Sequence, residues 1–120
     1  MEQRRVPSSE AEIQALTLDQ YQSWLRHPAP VAKKYALLYF SNAFVGEAGE
    51  VANEVKKLYR DGFDNYRVVD ELGDALHYLA MTATAVGVPL SEVARKNLIK
   101  VTTKYSEFYA NPAAQATKAE

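Results

Sequence analysis

Four acidic side chains fall in two pairs with one spacing: Glu47 and Glu50 in "GEAGEVANEV", and Glu71 and Asp74 in "DELGDALHYLA". Residues three apart are neighbours on a helix surface, so each pair can aim two carboxylates at one point. At roughly 100° per residue, Glu47 points in nearly the direction of Phe40, Phe44, Val51 and Leu58. Glu54 lies within about 20° of Glu47, and Glu50 about 60° to one side. Negative charge therefore stands in or beside a stripe that should be apolar. Ionised carboxylates placed there are costly unless cations accompany them. If the two segments pack against each other, four carboxylates converge. An all-oxygen set without cysteine or a converging histidine selects a hard ion, Mg²⁺ or Mn²⁺, with room for two or more ions. Either pair alone is commonplace on a solvated helix face. What sets these apart is their pairing across a short loop and their place within apolar stripes.

The elements that must position them are helices. Thr17 precedes "LDQYQSWLRH", whose Leu18, Tyr21, Trp24 and Leu25 share a face, so Thr17 is the expected N-cap of a short helix stopped by Pro28 and Pro30. From Val31 to Arg60 there is no proline, and apolar residues recur at three and four. That span reads as one long helix or two nearly collinear ones. "DGFDNY" (61–66) carries turn chemistry. The next helix is expected over Arg67 to Val86, closed by Gly87. It shows two sides fit for burial: Leu72, Leu76, Leu79, Ala83 and Val86 on one, and Glu71, Asp74, Tyr78, Met81 and Ala85 on another. Ser91 is the expected cap of a fourth helix reaching Tyr109. Residues 1–16 read as a flexible arm, 17–109 as the helical domain and 110–120 as a flexible tail. Gly49 and Gly73, each set between two acidic positions, cost about 1 kcal/mol of helix propensity. The reading is that they permit close backbones or leave room beside metal ions. The expected fold is all-α: two long antiparallel helices plus flanking ones, with a four-helix core completed by a homodimer or homotetramer.

Bulk composition narrows the function further. The 120 residues are 48% hydrophobic and 24% charged, with net charge −1. So even a balance leaves no electrostatic footprint for a nucleic-acid polymer and no polybasic membrane patch. Absence of cysteine excludes disulfides, zinc thiolates and thiol nucleophiles. No signal-like or membrane-length apolar run is present, and the expected setting is cytoplasmic. "GEAGE" lacks the Gly-Lys-Ser/Thr ending of a phosphate loop. Asp74-Ala-Leu-His77 imitates one arm of a di-iron bundle, but such a site needs two arms. The second histidine, His27, precedes Pro28. Trp24, Tyr35, Tyr39, Phe40 and Phe44 serve as core or as stacking faces for a base, and Phe40 points the same way as Glu47.

With these motifs in place, the chain resembles the MazG-type all-α nucleoside triphosphate pyrophosphohydrolases, a superfamily that includes dimeric dUTPases and dCTP pyrophosphatases. Its signature is E-E-x-x-E, a spacer and E-x-x-D. Here these are Gly46-Glu47-Ala48-Gly49-Glu50 and Glu71-Leu72-Gly73-Asp74, separated by twenty residues. "GEAGEVANEVKKL" and "NLIKVTTKY" also resemble the family, and the likeness runs from Leu18 to Tyr105. The resemblance implies that Glu47, Glu50, Glu71 and Asp74 ligate Mg²⁺, and that a (d)NTP is cut to (d)NMP and pyrophosphate. A deoxynucleotide of the dGTP, dUTP or dCTP class is favoured. It makes Asn97 and Lys100 candidate substrate contacts, with Lys104 where relatives often carry Arg. Lys57, a turn beyond Glu54, is a further candidate to reach the phosphates. The family's first glutamate is Gly46 here. Either Glu54 takes over activation of the water, or no separate base is needed. The alternative reading is a non-catalytic helical module that binds nucleotide or a partner through the same acidic groove, and a plain dimerisation domain is a third.

Overall fold

The structure is a computed structural model, and it describes residues 7–62 and 65–111. The expected flexible ends therefore lie in part outside the described residues. Among these, every regular element is helical: α1 (Glu10–Gln14), α2 (Leu18–Trp24), a 3-10 turn (Lys33–Tyr35), α3 (Ala36–Asp61), α4 (Asn65–Val86), α5 (Leu90–Lys104) and α6 (Ser106–Ala110). The all-α expectation holds. The chain divides into two compact units, residues 1–90 and 91–120.

In the first unit, α3 and α4 pack along each other. The face that α3 buries is the one its periodicity marks: Phe40 and Glu54 are buried, while Phe44, Glu47, Val51 and Leu58 are half-buried. On α4 the fully enclosed residues are the small ones, Ala80 and Ala83. Leu72, Leu76 and Val86 from the expected apolar stripe remain exposed, whereas Glu71, Tyr78 and Met81 on the other side are half-buried. The acid-bearing side of α4 is thus the better covered of the two.

Helix ends follow local chemistry where local chemistry is available. Thr17 caps α2 in a reciprocal box: the Gln20 N–H donates to Thr17 Oγ1 (3.1 Å), and the Thr17 N–H to Gln20 Oε1 (2.9 Å). Ser9 caps α1, a short helix inside the stretch read as an arm. α4 ends in a Schellman turn: Gly87 takes φ +79°, its N–H donates to the Thr84 carbonyl, and the Val88 N–H donates to the Ala83 carbonyl.

Four expectations need correction. α3 starts at Ala36 after a 3-10 turn rather than at Val31, and α4 starts two residues before Arg67. Ser91 is not the cap of α5. The helix begins at Leu90, whose N–H donates to the side-chain oxygen of Gln22 (2.7 Å), so the cap comes from far upstream. A Cβ on Gly49 or Gly73 would meet nothing within 4 Å, so neither glycine serves close packing within the chain.

In the second unit, α5 and α6 are separated at Tyr105, which divides the helix expected to run to Tyr109. Leu98 and Ile99 on α5 are exposed.

Candidate functional site

The packing of α3 on α4 brings Glu47, Glu71 and Asp74 together. Each offers a carboxylate oxygen, and these oxygens all lie within 4.8 Å of one another. Glu47 and Glu71 are half-buried and Asp74 is exposed, so the cluster opens outward from a packed base. Glu50 is exposed and stands outside this group of three. Its charge still reaches Glu71. Loss of solvent, followed by the charges of Asp74, Glu50, Glu47 and Glu54, pushes the Glu71 carboxyl above its ordinary value. Both causes disfavour the ionised form. Three oxygen donors within a few ångströms, with no sulfur, fit a hard divalent cation.

Glu54 lies on the same face of α3, buried, one of its oxygens 3.1 Å from Lys57 Nζ. This pair borders an open cavity of about 230 Å³ that is also lined by Leu58, Asp61, Gly62 and Arg67. Lys57 is thus engaged with Glu54.

Beside the acidic cluster stands a group of rings. Phe40 packs edge-on against His27 (5.3 Å between centroids) and Tyr39 (5.5 Å), and His27 also meets Tyr39 (5.4 Å) and Tyr78 (6.0 Å). The His27 Nε2 lies 3.4 Å from the Tyr78 hydroxyl. Burial raises the Tyr78 phenol, as do Tyr39 and the carboxylates Glu47 and Asp74; the last two tie the ring group to the acids. His77 stacks on Tyr78 at 5.0 Å. Its imidazole is pushed below its usual value by burial and then by His27, against the pull of Asp74 and Glu47.

His27 is the residue the sequence hid. It lies in an irregular segment before Pro28, where no periodicity says which way a side chain turns. The adjacent prolines signal only that the chain leaves α2 abruptly. Tyr35 is exposed, and Trp24 and Phe44 are half-buried. Asn97, Lys100 and Lys104 are exposed on α5, in the second unit. Lys104 Nζ sits over the Tyr105 ring at 5.3 Å.

Comparison with known proteins agrees with this geometry. The family model described as the MazG nucleotide pyrophosphohydrolase domain matches residues 38–108. The chain is 42% identical over 74 residues to the gene 37 protein of Mycobacterium phage L5, a match covering 57% of this chain and 65% of that protein. The chain thus spans less than two thirds of the phage protein's length. No solved structure matches it.

Proposed function

This chain belongs to the MazG nucleotide pyrophosphohydrolase domain family, and from that premise we propose that it is a Mg²⁺-dependent enzyme cutting a nucleoside triphosphate to the monophosphate and pyrophosphate. A deoxynucleotide of the dGTP, dUTP or dCTP class is the favoured substrate. The observation that carries the reading is the gathering of Glu47, Glu71 and Asp74 oxygens within 4.8 Å from two different helices.

Glu47, Glu71 and Asp74 would hold the cation, with Glu50 beside them for a second. A divalent ion bound there neutralises phosphate charge and lowers the pKa of water. The chain's own part is placement. The faces of Phe40, Tyr39 and Tyr78 and the His27 imidazole offer a stacking and hydrogen-bonding surface for the base. Through the cation they would hold, the carboxylates would fix the phosphate end, and such fixing of both ends is worth orders of magnitude in rate. Glu54 is the candidate to receive the proton of the attacking water. The water oxygen bonds to phosphorus and the α–β bridge breaks: pyrophosphate leaves with the electron pair if attack is at the α-phosphorus, and the nucleoside monophosphate leaves with it if attack is at the β-phosphorus. Attack at either the α- or the β-phosphorus cuts the same bridge and gives the same products. Lys57, Asn97, Lys100 and Lys104 are proposed phosphate contacts.

Incubation with a panel of (d)NTPs and Mg²⁺, followed by analysis of pyrophosphate and nucleotide, tests the reading. The expected result is monophosphate and pyrophosphate in equal amounts, abolished by chelation. Binding without turnover of any nucleotide would instead favour the non-catalytic module, for which the replacement of the family's first glutamate by Gly46 speaks.

The exposed Leu72, Leu76 and Val86 on α4 support a homodimer or homotetramer in which this side of the helix meets a second copy. No helix among the described residues is long and apolar enough to cross a membrane.

A further inference from the structure

Gln22 joins distant parts of the first unit through three hydrogen bonds. Its amide nitrogen donates to Thr84 Oγ1 (3.2 Å) and to the Val88 carbonyl (2.9 Å), and its oxygen accepts from the Leu90 N–H (2.7 Å). The donor and acceptor senses agree throughout. Thr84 donates its own proton to the Ala80 carbonyl (3.1 Å), so its oxygen is free to accept. One side chain thereby ties α2 to the last turn of α4, to the Schellman turn and to the first residue of α5.

The tie matters because of what α2 carries. No residue of that helix is buried. Yet α2 carries Tyr21, whose phenol is raised by burial and by the charge of Asp74. The segment that follows it delivers His27 to Phe40, Tyr39 and Tyr78. Gln22 also borders an open cleft of about 450 Å³, where water can compete for its bonds.

We infer that Gln22 is a positioning residue: its carboxamide latches α2 onto the end of α4 and so keeps His27 closed over the ring group beside the acidic cluster. The inference rests on the proposed nucleotide site. With the latch intact the strap is closed before substrate arrives. Without it, the closed form is a minor population that substrate binding must restore. The apparent affinity then falls by the fraction closed, while the rate at saturation returns to normal. Irreversible loss of active molecules has a different signature, lowering kcat and leaving KM unchanged, and reversible global unfolding would lower helix content in the absence of substrate.

The test compares the full-length wild type with Gln22→Met, which keeps length and removes all three bonds, and Thr84→Val, which removes one acceptor. Steady-state hydrolysis of the best nucleotide of the panel is measured, alongside acrylamide quenching of Trp24, the chain's single tryptophan, which lies on α2. For Gln22→Met, KM should rise about tenfold, the value for a closed population of about one in ten, with kcat within about twofold of wild type. Trp24 quenching should increase without nucleotide and return towards wild type at saturation, with helix content by circular dichroism unchanged. Thr84→Val should shift KM in the same direction by less. Unchanged KM and unchanged quenching in Gln22→Met, or a fall in kcat alone, would overturn the latch while the enzyme reading stands. A wild type that hydrolyses no nucleotide sinks the enzyme reading, and this inference with it.

Discussion

Two side chains at the site titrate against their surroundings, in opposite senses. The Glu71 carboxyl is raised by burial and by four neighbouring carboxylates, so the folded chain holds a proton there more tightly than the unfolded one. In the window from 4.5, the ordinary value, up to the raised folded value, stability of the chelated protein should therefore fall as pH rises. Mg²⁺ should cancel this slope by supplying the missing positive charge, and should raise the melting temperature above the window. Glu71→Gln should flatten the slope, abolish the Mg²⁺ shift and reduce the metal-dependent rate on the order of a hundredfold. Melting curves across pH, with chelator and with Mg²⁺, check all three; a Mg²⁺ shift that survives in Glu71→Gln removes that residue from the ligand set. His77 works the other way. Its imidazole is lowered by burial and by His27, so its contribution to stability is present above 6.5 and is lost as pH falls below that value. Its Nε2 is buried without a hydrogen-bond partner among the described residues. His77→Phe keeps the ring on Tyr78, removes the orphaned atom and should stabilise the fold by about 1 kcal/mol. Denaturant titration near pH 6 and again near pH 8 would reveal the gain as larger at the lower pH; equal gains would show that His77 does not titrate in this range.

At the level of helices, one substitution should have opposite effects at two glycines. Gly49 sits within α3, and a Cβ there meets nothing within 4 Å, so Gly49→Ala should gain about 0.5–1 kcal/mol from helix propensity. Gly87 holds φ +79° at the end of α4, where any Cβ is strained, so Gly87→Ala should lose about 1 kcal/mol or more. Urea midpoints of the two variants decide it, and a loss at Gly49 would mean that its open space is filled by another molecule. These two residues also mark how far sequence reaches. Gly87 was legible because a Gly followed two residues later by Pro89 is a local stop signal. Of the four acids expected to converge, Glu47, Glu71 and Asp74 come together as helix phase predicts, while Glu50, exposed on α3, stands outside the group. The start of α5 was not. Ser91 looked like its cap because Ser favours such positions, but the Leu90 N–H is satisfied by Gln22, and a partner that distant leaves no pattern nearby. His27 was missed for the same reason, since its direction is set by how the segment after α2 crosses α4.

Among the described residues, much apolar surface stands against few enclosed side chains. The buried hydrophobic residues there are Phe40, Ala80, Ala83 and Leu90, while Val69, Leu72, Leu76 and Val86 stand exposed on α4. A core of that size gives a small domain little stability by itself, whereas apolar area removed from water contributes roughly 25 cal/mol per Å². A second copy seated on this side of α4 would supply what the single chain lacks and form the expected four-helix core. Leu72 and Leu76, 52% and 39% exposed, would then be central to the interface. In a monomer, Leu76→Glu replaces a half-exposed side chain with a polar one and should shift stability by less than about 0.5 kcal/mol. In an oligomer it buries an unpaired charge and should dissociate the assembly. Light scattering coupled to size exclusion separates the two cases. The expected outcome is a dimeric or larger wild type whose melting temperature rises with protein concentration, and a monomeric Leu76→Glu whose melting temperature is lower and independent of concentration. A wild type that elutes as a monomer at every concentration, with Leu76→Glu melting at the same temperature, would mean that this apolar side of α4 does not hold a second copy.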